Sequence, residues 1–144
     1  MKSCVFCRIA LHEAHANIIY EDDNVIAFLD VCPANEGHAL VVPKRHYENM
    51  FDTPDDILAS VISVSKKVGQ AQKKALAAEA VNLVNASGKE AGQDIFHFHM
   101  HVIPRHSNDG INERDWWKPK KELREKMEVI ASKLKKRLNA NKVK

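Results

Sequence analysis

The 144-residue chain has no stretch of about 18 uninterrupted apolar residues, so nothing in it reads as a membrane-spanning helix. Met1-Lys2-Ser3-Cys4 puts polar and charged residues where the apolar part of a signal peptide would develop, and a cytoplasmic location is expected. Cysteine is scarce. Three residues, an odd number, argue against a disulfide framework, and Cys32 alone reads as a small buried hydrophobe. Internal repeats, low-complexity segments and a convincing linker before residue 107 are also missing, and 44% apolar content is enough for one domain with a core. The net charge is only +3, but it is uneven: residues 118–144 hold 11 Lys/Arg against 3 Asp/Glu, +8, which leaves −5 for the rest. No aromatic residues interleave these tail charges to stack bases, which argues against nucleic acid. Leu123, Met127, Ile130, Leu134 and Leu138 form one stripe, so the charges read as the solvated face of an amphipathic helix.

Short β-rich runs dominate the first third. Ile18-Ile19-Tyr20 and Val25 to Leu29, separated by Glu21-Asp22-Asp23-Asn24, form a hairpin signal, and Ala39 to Val42 is a third strand opened by Gly37 and closed by Pro43. Thr53 has the chemistry of an N-cap, Pro54 suits the first helical position, and Ile57, Val61, Val64 and Val68 recur at helical spacing. A long helix over about 54–77 is expected. Val81 to Asn85 is extended again, and Ala86 to Gly92 is a loop. Trp116-Trp117 reads as a packing anchor in a polar loop, and Pro119 begins the C-terminal helix.

The most unusual segment is His97-Phe98-His99-Met100-His101, running into Val102-Ile103-Pro104. On a strand the three imidazoles line one face and Phe98, Met100 and Val102 the other. Neighbouring histidines then stand about 6.6 Å apart and the outer two about 13 Å, so two can converge on a metal but three cannot. At least one ring stays free to act as nucleophile or proton carrier, near an ordinary pKa of about 6.5.

With Gly92-Gln93 before it and Gly37-His38-Ala39-Leu40-Val41-Val42-Pro43-Lys44-Arg45-His46 upstream, this segment makes the chain resemble the histidine-triad (HIT) family of nucleotide hydrolases and transferases, and a bacterial-type member with an N-terminal Cys-x-x-Cys. The resemblance covers about residues 4–106. It implies an α+β fold with a five-stranded antiparallel sheet and a long central helix, dimerising so that two sheets become continuous. Residues 1–106 would form the HIT domain, with 107–144 adding a loop and a basic helix that packs on it.

In such proteins the middle histidine attacks the α-phosphorus of a nucleoside phosphoramidate, an acyl nucleotide or a dinucleoside polyphosphate, and water resolves the nucleotidyl-histidine. The matching residue is His99, with His101 as proton manager. Asp30 resembles the ribose-binding acid, and Ile9, Phe28 and Val31 the apolar slot for a purine base. Asn85 and Gln93 resemble polar contacts to the phosphate and leaving side, and His38 a fourth histidine near the triad. Asp94 departs from the pattern, because many members carry Ser or Thr there and a carboxylate would repel a phosphate.

Cys4-Val5-Phe6-Cys7 has spacing that lets both thiolates meet one tetrahedral zinc, with His46 and His97 completing a structural Cys2His2 set. A redox pair or unliganded thiols are the alternatives. Three functional readings stay open: a nucleotide hydrolase using His99, a nucleotide-responsive regulatory protein with vestigial hydrolysis, and a zinc hydrolase with its metal at His99 and His101.

Overall fold

Uninterrupted short apolar runs decide the architecture, because successive side chains of a strand point to opposite faces and each run then offers one apolar row to each side of a sheet. The computed structural model describes residues 3–112 and 118–142. In chain order the elements are α1 (Val5–Ala10), β1 (Ile18–Glu21), β2 (Val25–Leu29), β3 (Ala39–Pro43), α2 (Asp55–Leu76), β4 (Ala80–Val84), β5 (Met100–Arg105) and α3 (Met127–Lys142). The strands form one antiparallel sheet in the order β1-β2-β3-β5-β4. This is the expected α+β arrangement with its long central helix. No helix among the described residues is long and apolar enough to cross a membrane.

Val25, Ala27, Leu29, Val41 and Val102 point to one side, where they pack with Val61, Val64 and Val68 of α2 and with Ile130, Leu134 and Leu138 of α3. Ile26, Phe28, Leu40 and Val42 point to the other and meet Phe6 and Ile9 of α1. Register aligns Phe28 with Leu40 and Leu40 with His101, so His101 stands on the α1 side. Helix α2 is tied across the first layer by the fully buried Gln72, whose Nε2 donates to the carbonyls of Gly37 and Val102 at 3.0 Å each. Gly37 has φ +88°, a left-handed conformation that favours glycine where the chain enters β3, and a Cβ there would also push aside Leu76 Cδ1 of α2, 2.3 Å away. That entry sets the position of His38.

Several local expectations are corrected. The Thr53 hydroxyl donates to the Asn49 carbonyl at 2.7 Å and does not cap α2. The C-terminal α-helix starts at Met127 rather than Pro119, because residues 121–126 wind as a 3-10 segment carrying Leu123. Cys32 is exposed, not buried, since it lies in the loop leaving β2, where its N–H donates to Asp30 Oδ1 at 2.8 Å. Trp116-Trp117 lies outside the described residues. The short α1 was not anticipated. It begins at Cys4, whose Sγ accepts the Cys7 N–H at 3.4 Å in the manner of an N-cap.

Candidate active site and metal centre

The ladder of β5 begins only at Met100, so His97 and His99 precede the regular strand that the alternation suggested. Their backbone is held by individual bonds instead. Phe98 N–H donates to the Tyr47 carbonyl at 2.7 Å, and Asn85 Nδ2 donates to the His99 carbonyl at 2.9 Å. Alternation of faces nevertheless survives: Phe98 enters the core under α2, while the histidine rings turn toward α1. The ring of Phe6 packs edge to face with both, its centre 5.2 Å from that of His99 and 5.8 Å from that of His97.

Backbone groups determine which nitrogen of each buried ring carries the proton. A carbonyl can only accept, so His99 Nδ1–H donates to the His97 carbonyl at 2.7 Å and the lone pair stays on Nε2. His97 Nε2–H donates to the Pro43 carbonyl at 2.7 Å, which leaves its Nδ1 as the free ligand atom. An amide N–H can only donate, so His38 Nδ1 accepts from Ala34 at 3.0 Å and His38 Nε2–H donates to His101 Nδ1 at 2.9 Å. His101 therefore carries its proton on Nε2. A lone pair on His99 and an N–H on His101 stand side by side, with ring centres 5.1 Å apart.

His99 is 5% exposed and His101 9%. The buried side-chain polar atom without a partner among the described residues is Gln72 Oε1, so the unpaired Nε2 of His99 is not sealed in the interior. Burial holds His38 down to about 3 and His101 to about 4, and lowers His99 as well, so these rings are neutral at pH 7. Burial also lifts Asp30 to about 6, and the Asp94 charge adds to that rise.

Cys4, Cys7, His46 and His97 converge, with all four ligand atoms within 4.8 Å of one another. Cys4 Sγ and Cys7 Sγ lie 3.4 and 3.5 Å from His97 Nδ1, and Cys7 Sγ lies 3.4 Å from His46 Nδ1. A tetrahedral zinc, with bonds of about 2.3 Å to sulfur and about 2.0–2.1 Å to nitrogen, sets sulfur–nitrogen edges of about 3.5 Å. The cluster fits such an ion, and the Pro43 carbonyl behind His97 is the kind of outer partner that fixes a ligand's tautomer.

A second cluster, Asp30, His38 and His101, has Asp30 Oδ2 at 3.4 Å from His38 Nε2 and 3.7 Å from His101 Nδ1. The Ala34 N–H occupies His38 Nδ1 and keeps the proton on Nε2, so this group is a hydrogen-bonded relay rather than a metal cage. Neither cluster includes His99, which leaves the zinc-hydrolase reading without a site among the described residues.

Of the remaining candidates, Ile9 and Phe28 are buried beside Phe6, whereas Val31 is 63% exposed. Gln93 is committed internally: Nε2 donates to the carbonyls of Glu48 and Ile95, and Oε1 accepts the Gly88 N–H, so it pins its loop rather than offering a free amide. Asn85 likewise holds the backbone of His99. Asp94 is exposed and accepts the Ile95 N–H. Sequence reasoning missed Phe6, Tyr47 and Ala34. Phe6 had a signal, an aromatic inside the cysteine pair, while Tyr47 and Ala34 act through backbone groups that side-chain identity does not disclose.

A family profile described as HIT domain matches residues 12–108. An uncharacterized HIT-like protein of Methanocaldococcus jannaschii is 48% identical over 107 residues, which is 74% of this chain and 82% of that protein. An adenylylsulfatase of Arabidopsis thaliana is 40% identical over 106 residues, 74% of this chain, but the match spans only 54% of the plant protein. Among solved structures, a zinc-bound histidine triad family protein from Mycobacterium smegmatis superposes with a TM-score of 0.87 at 33% identity, covering 99% of this chain and 97% of that one.

Two outcomes are expected. The unfolded chain binds protons on His38 and His101 near 6.5, but the folded chain only near 3 and 4, so unfolding takes up protons and stability falls as pH drops below 6.5. Asp30 works in the opposite direction between 3.8 and 6 and offsets one of the two protons. Urea unfolding should therefore show a lower midpoint at pH 5 than at pH 7, with a smaller difference in His38→Asn. Metal analysis of the purified chain should find a divalent ion that the double variant Cys4→Ser, Cys7→Ser lacks, and the thermal midpoint of that variant should drop by several degrees.

Proposed function

The chain belongs to the histidine-triad (HIT) family, and on that premise we propose that it cleaves nucleoside phosphoramidates at the α-phosphate through a nucleotidyl-histidine on His99. The observation that carries this reading is the fixed tautomer of His99, with Nδ1–H held by the His97 carbonyl and the Nε2 lone pair available beside His101.

In the first step a bond forms between His99 Nε2 and phosphorus while the bond to the leaving group breaks. A bound phosphate favours the charged form of a nearby imidazole, so His101 takes up a proton at Nδ1 on substrate binding, as the His38 Nε2–H turns to Asp30 Oδ2, 3.4 Å from it, and the new Nδ1–H faces the same oxygen at 3.7 Å; the Nε2 proton of His101 then goes to the departing amine. Water then attacks phosphorus, passes a proton to His101, and releases His99 in its starting form. Asp30, within reach of both histidines, accepts the ribose hydroxyls of a purine nucleotide, with Phe28 and Ile9 as the floor of the base slot and Val31 at its lip. Zinc, when held by Cys4, Cys7, His46 and His97, supplies a structural cross-link between the N-terminal helix and the segments flanking the sheet; the zinc-bound Mycobacterium smegmatis protein supports it. Three free cysteines suit a reducing cytoplasm. The open edge of β4, with Leu83 exposed, supports a homodimer.

Asp94 favours phosphoramidates over dinucleoside polyphosphates. Its charge acts on Asp30, His99 and His101. A leaving group with several negative charges is repelled there.

Rapid quenching with a slow adenosine phosphoramidate should reveal a nucleotidyl mass on His99, and His99→Ala should lose turnover while keeping nucleotide affinity; affinity without any adduct in the natural chain would instead identify a regulatory nucleotide binder. Asp94→Ser should raise the rate on a dinucleoside polyphosphate, relative to a phosphoramidate, on the order of tenfold. An unchanged ratio of the two kcat/KM values would remove Asp94 from specificity.

A further inference from the structure

Lys120 lies outside the matched domain, which ends at residue 108, yet it is bound to the loop between β2 and β3, which carries Asp30 and His38. Its Nζ donates to Asn35 Oδ1 and to the Asp109 carbonyl, and its backbone N–H donates to the Pro33 carbonyl at 2.7 Å. Asn35 is 4% exposed, and its Nδ2 is in turn held by the Pro104 carbonyl and Asp109 Oδ2, both at 2.9 Å. Arg124 adds a third bond to the loop, Nε to the Val31 carbonyl at 3.0 Å.

The Pro33 carbonyl and the Ala34 N–H are the two polar ends of one planar peptide unit. One end takes the Lys120 N–H, and the other gives its hydrogen to His38 Nδ1 at 3.0 Å. Turning that plane over would aim the Pro33 carbonyl instead of the Ala34 N–H at His38 Nδ1, in a position that is 1% exposed, and the ring would then gain by moving its proton to Nδ1 to donate to it. His38 Nε2 would then present a lone pair to His101 Nδ1 at 2.9 Å, so His101 would have to move its proton as well. The N–H on His101 Nε2 would be lost.

We propose that Lys120 is a positioning residue: by clamping the Pro33–Ala34 peptide plane, the C-terminal segment sets the tautomers of His38 and His101. This rests on the reading of His101 as the proton carrier, but the tautomers themselves are observable without turnover.

The test uses the full chain as Lys120→Met, which removes the ammonium, Lys120→Pro, which also removes the N–H, and Lys120→Arg, which can still reach Asn35 Oδ1. Long-range nitrogen–proton spectra of the histidine rings report which nitrogen of His38 and His101 is protonated, and steady-state kinetics with an adenosine phosphoramidate separate kcat from KM. The wild type should show His38 and His101 both protonated at Nε2. Lys120→Met should mix the tautomers and lower kcat about tenfold with KM nearly unchanged, with Lys120→Pro further in the same direction and Lys120→Arg restoring both readouts. Folded Lys120→Met with wild-type ring spectra and wild-type kcat would overturn the proposal, and if Lys120→Pro does not fold, Lys120→Met decides alone. A wild type with the stated tautomers but no turnover would refute the proposed reaction and leave the tautomer comparison to judge Lys120.

Discussion

Four buried imidazoles depend on backbone groups for their protonation pattern, and that dependence organises the rest of the molecule. An imidazole in water exchanges its proton between two nitrogens at little cost. Facing a carbonyl or an amide in the interior, it has one acceptable form, because the alternative leaves a buried polar group unpaired. The carbonyls of Pro43 and His97 and the N–H of Ala34 thus act as fixed settings, aiming His97 Nδ1 at the cysteines and keeping a lone pair on His99 Nε2.

Each of those backbone groups comes from a segment that something else must hold. Pro43 ends β3, the His97 carbonyl sits in the lead-in to β5 secured by Tyr47 and Asn85, and Ala34 lies in the loop clamped from the C-terminal side. The metal centre and the proposed chemistry therefore share one scaffold. His97 offers its ring to the thiols and its carbonyl to the neighbouring ring, so the two sites are joined by a single residue.

Much of the fold could be read directly. Short, continuously apolar, β-rich runs at Val25 to Leu29 and Ala39 to Val42 give strands whose period of two puts apolar side chains on both faces, and Val61, Val64 and Val68 mark the buried stripe of α2. Alternation misjudged the histidine segment, since it describes which way side chains point but not whether a partner strand is there to form a ladder. Cys32 was misjudged for a similar reason: thiol burial follows from the surroundings of the loop, not from the residue. Thr53 had the chemistry of a cap, but Pro54 takes the cap position and the helix begins at Asp55, which leaves the Thr53 hydroxyl to donate to the Asn49 carbonyl.

The sequence by itself determined the identities that matter: three alternating histidines, a two-residue cysteine spacing, an acid after β2 and a glycine opening β3. Residue type and spacing suffice for these, because they express local geometry and intrinsic chemistry. Tertiary structure alone decided which nitrogen of each ring carries a proton, that Gln93 spends its amide tying its loop to the Glu48 carbonyl, and that Lys120 reaches the loop bearing His38. Those outcomes turn on hydrogen bonds between groups far apart in the chain, many of them backbone atoms that every residue possesses, so their direction is set only when folding brings the partners together.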